Sequence, residues 1–413
     1  MKTLVLAVFA GLSAGVFAAP TVTDVTLAQG TTRNVVVEYS LSEKAIVTVQ
    51  FLTNGVPLAP ASLTGMIGDV NRVVPAGTGR VLWRPDRALV ADWEATAVAR
   101  VIAWSLDDPP DYLAIDLANP KDHRYYASAE EVPQGVSNEI YKTTSMLFRK
   151  IPAKNVSWRM GGGTEVGTYK QNIADYRNSE KYHTVTLDHN YYMALYEMTA
   201  DQYSMLANGT RASANGTHPA VNCSYNYLRG AAPDIDYPDT GSSVAANSFM
   251  QTIRNKTGIP SMDLPTEAEW EFACRAGTAT AFNNGKNLAD FSDPIPDGIG
   301  WCSSSSPKPG SRQIIGQLTP NNWFLYDMHG NVAELCLDWY SERFYPEGSE
   351  WTNPTGPKAS EVSGLTTRVT RGGSWILGTA SCRSACRAGL PWNPSSTQYG
   401  WVGFRLSCGT RAE

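Results

Sequence analysis

The first quarter of the chain carries a pattern of apolar and polar positions that is typical of short β-strands. Four runs rich in β-branched or alternating apolar residues are residues 22–27, 34–39, 45–51 and 96–102. Asn54-Gly55 and the Pro- and Gly-rich residues 75–79 supply turns between these runs. The pattern predicts an all-β sandwich over residues 20–106, and no residue in it indicates chemistry.

Regular periodicity becomes rare beyond this region. We interpret residues 107–147, which begin with an acidic and proline-rich stretch, as a linker with transitional strands. Residues 148–413 form a second predicted domain, in which Gly, Asn, Ser and Trp are frequent. Three helices are predicted there: one after Thr199, with Gln202 completing a capping box; one over residues 242–256, ended by Gly258; and one after Pro265, with Thr266 and Glu269 as its capping box.

The chain begins like a secretory signal sequence. Lys2 precedes an apolar run over residues 4–17, and Ala18 supplies a small residue where a signal peptidase cleaves. We therefore predict a signal peptide over residues 1–19 and a secreted, periplasmic or cell-surface location. No later segment is long and apolar enough to cross a membrane, so no membrane span is expected after signal removal.

Composition and charge exclude other classes of protein. Apolar residues make up 42% of the chain and charged residues 18%, which indicates a globular protein. The net charge of −5, without any run of more than two Lys or Arg residues, argues against a nucleic-acid partner. The seven cysteines lack zinc spacing, and outside the cytosol they predict one to three disulfides whose pairing stays open.

Four segments of the second domain carry distinctive motifs. They are Glu197-Met198-Thr199 with Gln202-Tyr203, residues 264–271 (LPTEAEWE), residues 325–332 (LYDMHGNV), and residues 371–375 (RGGSW), closing with Gly403-Phe404-Arg405. On these motifs the domain resembles the formylglycine-generating enzyme family, also called the sulfatase-modifying factor family. The resemblance implies an α+β fold, a C-type-lectin-like domain with little regular secondary structure. The sandwich before it is similar to an immunoglobulin or fibronectin type III module.

Members of this family differ in function. Some oxidise a sulfatase cysteine to formylglycine with copper and oxygen, and others serve cofactor or secondary-metabolite pathways. Others bind ligands without catalysis, including targets of diversity-generating retroelements. The oxidases carry two thiols after the Gly-Gly-Ser motif, because paired thiolates hold Cu(I).

The resemblance breaks down at the copper-binding thiols. Leu377 stands three residues after Ser374, where the family's first thiol falls, and Cys382 stands eight residues after Ser374, at the place of the second. Ala333 also replaces an aromatic residue that lines the oxygen site in the oxidases. We therefore expect that copper is not bound and that the oxidase activity has been lost.

Two alternatives stay open at this point. Cys382 and Cys386 could form a displaced thiol pair that holds copper. The protein could also be an active formylglycine-generating oxidase or another enzyme of the family. In that case Cys382 and Ser374 would be the catalytic residues to test first.

A structural calcium site is implied by the family resemblance. The segment after Leu325-Tyr326 places Asp327, Gly330, Val332 and Glu334 where the oxidases bind calcium through side-chain and carbonyl oxygens. The alternative is a tight Gly-Asn turn whose acidic side chains are solvated. The family's second calcium site would fall near Asp290 and Phe291, where no convincing match exists.

Within residues 375–402, a fixed-looking frame that includes Cys382-Arg383-Ser384, Arg387 and Pro391 alternates with small, aromatic and aliphatic residues at positions of free choice. This is the layout of retroelement-diversified members. Such residues make adaptable binding surfaces. We predict a face that binds a peptide, a glycan or a surface protein, formed by Ile376, Leu377, Leu390, Trp392, Tyr399 and Trp401. The alternative is that these are ordinary core and loop residues.

Overall fold

The structure is a computed structural model, and its contacts divide into two compact units, one that extends to Asn138 and one of Glu139–Gly409. The predicted signal peptide, apart from Ala19, and Trp392 lie outside the described residues. The structure describes residues 19–29, 34–59, 63, 65–85, 97–162, 179–207, 216–288, 293–305, 311–391 and 399–411.

The described part of the first unit contains ten strands. They are β1 (Val22–Gln29), β2 (Val35–Leu41), β3 (Ala45–Thr53), β4 (Val56–Pro57), β5 (Ile67–Gly68), β6 (Arg72–Val74), β7 (Gly77–Trp83), β8 (Ala97–Trp104), β9 (Tyr112–Asp116) and β10 (His123–Tyr126). One sheet has the order β1-β2-β7-β5, and a second has the order β4-β3-β6, with β8 paired to β3. Strands β9 and β10 pair antiparallel within the segment predicted as a linker.

The two sheets of the first unit enclose an apolar core. Val35 and Val37 of β2 are buried, and Glu38 is exposed, as the alternating pattern predicts. Phe51 of β3 stacks on Trp83 of β7 with ring centroids 4.3 Å apart. Burial of one such aromatic side chain contributes about 2 kcal/mol to the free energy of folding, so this contact stabilises the packing of one sheet on the other.

The second unit combines short strands with few helices. Its described strands are β11 (Ser145–Ile151), β12 (Val156–Met160), β13 (His183–Leu187), β14 (Tyr191–Ala194), β15 (Ala333–Trp339), β16 (Glu350–Thr352), β17 (Thr367–Arg371), β18 (Ala388–Pro391), β19 (Val402–Gly403) and β20 (Ser407–Gly409). Its described α-helices are α1 (Ala200–Leu206), α2 (Tyr225–Arg229), α3 (Phe249–Thr257) and α4 (Glu267–Arg275).

Three sheets organise this second unit. Strand β14 lies between β11 and β20, antiparallel to both. Strand β13 pairs antiparallel with β12 and parallel with β16. Strand β15 pairs antiparallel with β17 and parallel with β19, and β18 extends the sheet beyond β17. The described part of the chain is thus rich in strands and has few helices.

Local capping explains where the helices begin. Thr199 accepts a hydrogen bond from Gln202 N, and the Gln202 side chain completes the predicted capping box before α1. Thr266 and Glu269 form the same box before α4. The helix predicted over residues 242–256 is shorter than expected, because the Ser248 side chain accepts from the backbone of the helix's first turn and starts α3 at Phe249 instead of near residue 242.

Helix α2 was missed because five residues are too few for a periodic pattern. Among the residues that the structure describes, none of the helices has the length and apolar character needed to cross a membrane. Helix α4 packs against β12, β15 and β17, and Trp270 of α4 is fully buried in the core of this unit. The packing places two connections close together: the acidic loop (residues 327–334), which leads into β15, and the GGS loop (residues 372–382), which follows β17.

Candidate functional site

The acidic loop and the GGS loop meet through their backbones. Gly330 N donates to Gly372 O at 2.7 Å, and Trp375 N donates to Asn331 O at 2.9 Å. On the other side of the acidic loop, Ala333 N donates to Trp401 O at 2.9 Å. The segments that contain the predicted binding residues are therefore anchored on a buried backbone.

Glycines make this close approach feasible. Gly330 has a φ of +98°, and a Cβ there would lie 1.9 Å from Trp301 O. Gly373 has a φ of +72°, and a Cβ there would lie 2.6 Å from the Sγ of Cys382. Gly372 also has a positive φ, of +86°, so the backbone path favours glycine at both positions of the motif, and Gly373 leaves room for the Cys382 sulfur.

Glu334, a predicted calcium ligand, has both carboxylate oxygens engaged. Arg405 Nη2 donates to Oε1 at 2.6 Å, and Arg405 Nε donates to Oε2 at 2.7 Å. Trp270 Nε1 also donates to Oε2 at 2.6 Å. All three side chains are buried, so Glu334 is the counter-ion of Arg405 in this structure.

Asp327, the first predicted calcium ligand, is buried and only partly satisfied. Its Oδ2 accepts from Gly316 N at 2.6 Å, and its Oδ1 has no hydrogen-bond partner. Burial raises the pKa of Asp327 to about 6, because the charged form is desolvated. An orphaned oxygen on a buried carboxylate is the kind of group that a bound cation satisfies in a native protein.

Glu197 is a carboxylate of this site that the sequence interpretation did not assign a role. It is fully buried, and it accepts hydrogen bonds from Asn331 Nδ2 at 2.7 Å and Val332 N at 3.1 Å. Burial raises its pKa, and the nearby carboxylates of Asp327 and Glu334 raise it further. The only sequence signal that could have identified Glu197 is its position in the first family motif, Glu197-Met198-Thr199.

The implied calcium ion fits these residues in part. Three carboxylates, those of Glu197, Asp327 and Glu334, lie near two cationic groups, the Arg405 guanidinium and the Lys142 ammonium. This excess of negative charge suits a hard cation. Asp327 Oδ1 is available to such an ion, whereas Glu334 would have to release a hydrogen bond. Within the described ranges, no group of three or more His, Cys, Asp or Glu is arranged to hold a metal.

The residues considered for catalysis are buried together in the structure, where the Ser374 backbone hydrogen bonds to the Cys382 sulfur. Ser374 and Cys382 have no exposed surface, and Ser374 Oγ has no hydrogen-bond partner. Leu377 is partly exposed, and its carbonyl accepts from Ser303 N at 2.9 Å. The alternative thiol pair of Cys382 and Cys386 is likewise buried.

A thiol that sequence reasoning missed lies beside Cys382. The Cys382 thiol hydrogen bonds to the sulfur of Cys302, and both side chains are fully buried. The Cys302 Sγ also lies 3.2 Å from Ser304 Oγ, 3.3 Å from Ser305 Oγ and 3.4 Å from Thr379 Oγ1. No motif links two cysteines this far apart in the chain, so only their contact reveals the pair.

Hydrogen bonding lowers the pKa of one of these two thiols and raises that of the other. The hydrogen bond from Cys382, followed by those from three hydroxyls, lowers the pKa of Cys302 to about 4 against the opposing effect of burial. The same hydrogen bond and burial raise the pKa of Cys382 well above its usual range. The pair therefore consists of a thiolate at Cys302 and a protonated thiol at Cys382.

His329 holds the backbone at Cys382. Burial lowers the pKa of His329 to about 4, so the ring is neutral, and Nδ1 donates to Cys382 O at 2.8 Å. Its Nε2 then accepts from Asn283 N at 3.1 Å. The tautomer is set by these two backbone partners, and the histidine positions the Cys382 loop.

The copper site implied by the resemblance does not match this arrangement. Two sulfurs are present, but neither Cys302 nor Cys382 is exposed, and both lie in a cluster with Phe282, Ile295 and Ile299. The oxidase chemistry needs an open dithiol. All seven cysteines are buried thiols in the structure, so the predicted disulfides are not formed in it.

The predicted binding residues divide by exposure. Ile376 is 49% exposed, and Leu377, Tyr399 and Trp401 are partly exposed. The rings of Tyr399 and Trp401 form an edge-on pair with centroids 5.6 Å apart. Leu390 is buried, at 5% exposed, on β18, where it packs inward and offers no surface to a ligand.

Comparisons with known proteins agree with these motifs. The family model described as "Sulfatase-modifying factor enzyme 1-like domain" matches residues 147–408. Formylglycine-generating enzyme of Streptomyces coelicolor is 32% identical over 166 residues, which cover 36% of this chain and 49% of that protein. The mouse enzyme is 31% identical over 156 residues, which cover 35% of this chain and 38% of that protein. The chain thus spans about half or less of the length of these curated relatives.

Two solved structures are also similar. Treponema denticola variable protein 1 has a TM-score of 0.47 at 21% identity, covering 64% of this chain and 96% of that one. PvdO from Pseudomonas aeruginosa has a TM-score of 0.46 at 19% identity, covering 66% of this chain and 97% of that one.

Proposed function

Because the chain belongs to the family of sulfatase-modifying factor enzyme 1-like domains through residues 147–408, we propose that it is a ligand-binding member and not an active formylglycine-generating oxidase. The loss of oxidase activity is supported by Leu377 at the place of a thiol. It is also supported by the complete burial of Cys382 and of the sulfur beside it.

The observation that carries the proposal is the exposure of apolar side chains on a rigid support. Ile376 is half exposed, and Leu377, Tyr399 and Trp401 each keep part of their surface accessible. Their segments are held by backbone hydrogen bonds to the acidic loop. Exposed apolar and aromatic side chains whose backbone is fixed lose little entropy on binding, which favours recognition of a partner.

Burial also separates frame positions from positions of free choice in the C-terminal segment. Cys382, Arg383 and Arg387 of the frame are buried, whereas Ile376 and most of the other free positions that the structure describes keep surface accessible. Arg383 pairs with Glu180, and Arg387 pairs with Glu267, so substitution of either arginine would leave a buried charge. This division supports a retroelement-diversified face, in which exposed positions change and ion-paired positions do not.

We further propose that the protein is exported, on the strength of its signal-like first residues, and that it binds a peptide, a glycan or a surface protein outside the cytosol. A calcium ion held by Asp327, with the carbonyls of Gly330 and Val332, would offset the carboxylate excess. Glu334 would join it as a ligand by giving up one hydrogen bond.

A binding screen tests the proposal. The purified chain is applied to a glycan array and to a displayed peptide library, and hits are measured by biolayer interferometry. Ile376→Asp should weaken binding by at least tenfold, because a desolvated charge in the interface costs more than 1.4 kcal/mol. Val56→Asp changes an apolar residue of the other unit that is even more exposed than Ile376, at 66% against 49%, and should leave binding unchanged.

Two results would count against the ligand-binding face. One is the absence of any hit in both screens, and the other is a hit whose affinity Ile376→Asp leaves unaltered. The diversification proposal has its own test: sequences of near relatives from the same genome should differ at exposed positions of residues 375–402 and agree at Cys382, Arg383 and Arg387.

A further inference from the structure

Two loops of the second unit are joined around the Cys302 sulfur by hydroxyl groups. Cys302 N donates to Ser305 Oγ at 2.9 Å, and Ser305 Oγ donates to Gly300 O at 2.9 Å. Across the gap, Ser304 Oγ lies 3.2 Å from Thr379 Oγ1 of the GGS loop. Three hydroxyls thus surround the Cys302 sulfur, and the Cys382 thiol is its fourth polar neighbour.

This environment differs from that of the other cysteines. Burial raises the pKa values of Cys223, Cys274 and Cys408 to about 12, so these thiols stay protonated and unreactive. Cys302 instead has the Cys382 thiol and three hydroxyls around its sulfur. A thiolate that accepts a hydrogen bond from a protonated thiol is the geometry of an attacking sulfur with its resolving partner.

We propose that Cys302 and Cys382 form an oxidisable pair, which a peroxide converts to an internal disulfide between the two loops. The Cys302 thiolate attacks one oxygen of hydrogen peroxide, the O–O bond breaks, and hydroxide leaves, so that Cys302 becomes a sulfenic acid. The Cys382 sulfur then attacks the Cys302 sulfur and displaces the sulfenic oxygen, which leaves as water with the Cys382 proton and the sulfenic proton. The two thiol sulfurs are oxidised and the peroxide is reduced.

The burial of both sulfurs restricts which oxidants can reach them. Neither side chain has exposed surface, so a bulky disulfide such as glutathione cannot approach without opening the loops. Hydrogen peroxide is close to water in size and enters through small local openings. The oxidisable pair shares the GGS loop with Ile376 and Leu377 of the proposed ligand face, and Ser303 N donates to Leu377 O. Its test nevertheless needs no ligand.

Peptide mapping provides the experiment. The reduced full-length chain is treated with one equivalent of hydrogen peroxide, blocked with N-ethylmaleimide in denaturant, and digested with trypsin without reduction. Cleavage isolates Cys302 in residues 287–312 and Cys382 in residues 372–383, and it places Cys386 in a separate peptide, residues 384–387. A cross-link between residues 287–312 and 372–383 is expected as the dominant product.

Variants separate chemistry from structure. Cys302→Ser should abolish this cross-link, and Cys408→Ser, which removes another buried thiol, should leave it intact. Thr379→Val keeps both sulfurs but removes one of the three hydroxyls around the Cys302 sulfur. It should slow formation of the cross-link, because the thiolate loses a hydrogen-bond partner. The proposal fails if wild-type Cys382 links to Cys386 or another cysteine, or if both sulfurs stay reduced while other thiols oxidise.

Discussion

Arg405 donates to both carboxylate oxygens of Glu334, at 2.6 and 2.7 Å, and neither residue is exposed by more than 1%. The pair joins the segment before β20 to β15, which carries the end of the acidic loop. A fork-shaped guanidinium fits a carboxylate in this way, whereas the single ammonium of a lysine cannot.

Removal of Arg405 should therefore destabilise the protein strongly. Arg405→Met leaves Glu334 as an uncompensated buried charge and should lower the free energy of unfolding by about 3–5 kcal/mol. Urea denaturation in the presence of chelator measures this change. Lys286→Ala, which breaks the half-exposed pair with Asp297, is the control and should cost less than about 1 kcal/mol. Similar losses in both variants would contradict the buried-pair interpretation.

Gly330 should tolerate no side chain. Gly330→Ala adds a Cβ 1.9 Å from Trp301 O at a φ of +98°, so both sterics and backbone strain oppose it. Strain alone costs about 1–3 kcal/mol, and the clash adds to it. The melting temperature should fall sharply. Gly378→Ala, at a φ of −70° with nothing within 4 Å of the added Cβ, should be neutral or slightly stabilising.

His189 should make stability depend on pH in the alkaline range. Its hydrogen bond to Glu269, with a further one to Asp188, raises its pKa from 6.5 to about 9. The folded pKa lies above the unfolded value, so the charged ring contributes its full stability below about pH 6.5 and loses it as pH rises through about 9. His189→Gln should thus lower the melting temperature more at pH 6 than at pH 10. An equal loss at both values would count against this assignment.

Calcium should stabilise the chelator-stripped protein if it binds at the acidic loop. At about 100 times its Kd, a ligand of the folded state adds about 2.7 kcal/mol, which raises the melting temperature measurably. Asp327→Asn should remove the calcium-dependent rise, and Asp297→Asn, at an exposed carboxylate, should keep it. The shift on calcium addition is compared within each variant, because removal of a buried charge alters the starting stability. A rise that persists in Asp327→Asn would place the ion elsewhere.

The copper-loaded protein should not oxidise a Cys-x-Pro-x-Arg peptide. Leu377 offers no sulfur, and Cys302 with Cys382 is closed to a peptide substrate because both side chains are buried. Mass spectrometry of the peptide after incubation in air measures the product. Turnover above that of a Cys382→Ser variant would restore the oxidase as the function.

Local physical chemistry made several parts of this protein predictable from its sequence. The capping boxes at Thr199 and Thr266 are closed by residues three positions away, so they form as the sequence indicates. The alternating pattern of β2 places Val35 and Val37 on one face of the strand, and that face packs in the core of the first unit. The order of the family motifs likewise identified the family to which residues 147–408 belong, because that order is carried by the sequence itself.

Contacts between distant segments were decided only by the tertiary structure. Cys302 and Cys382 meet because the GGS loop packs on the segment after Gly300, and no periodicity relates positions so far apart. The same packing buried Leu390 and left Ile376 exposed, although both are aliphatic residues in one short stretch. A sequence determines the hydrogen bonds that a residue makes with near neighbours. Which distant side chains share a low-dielectric interior depends on how all the loops pack at once.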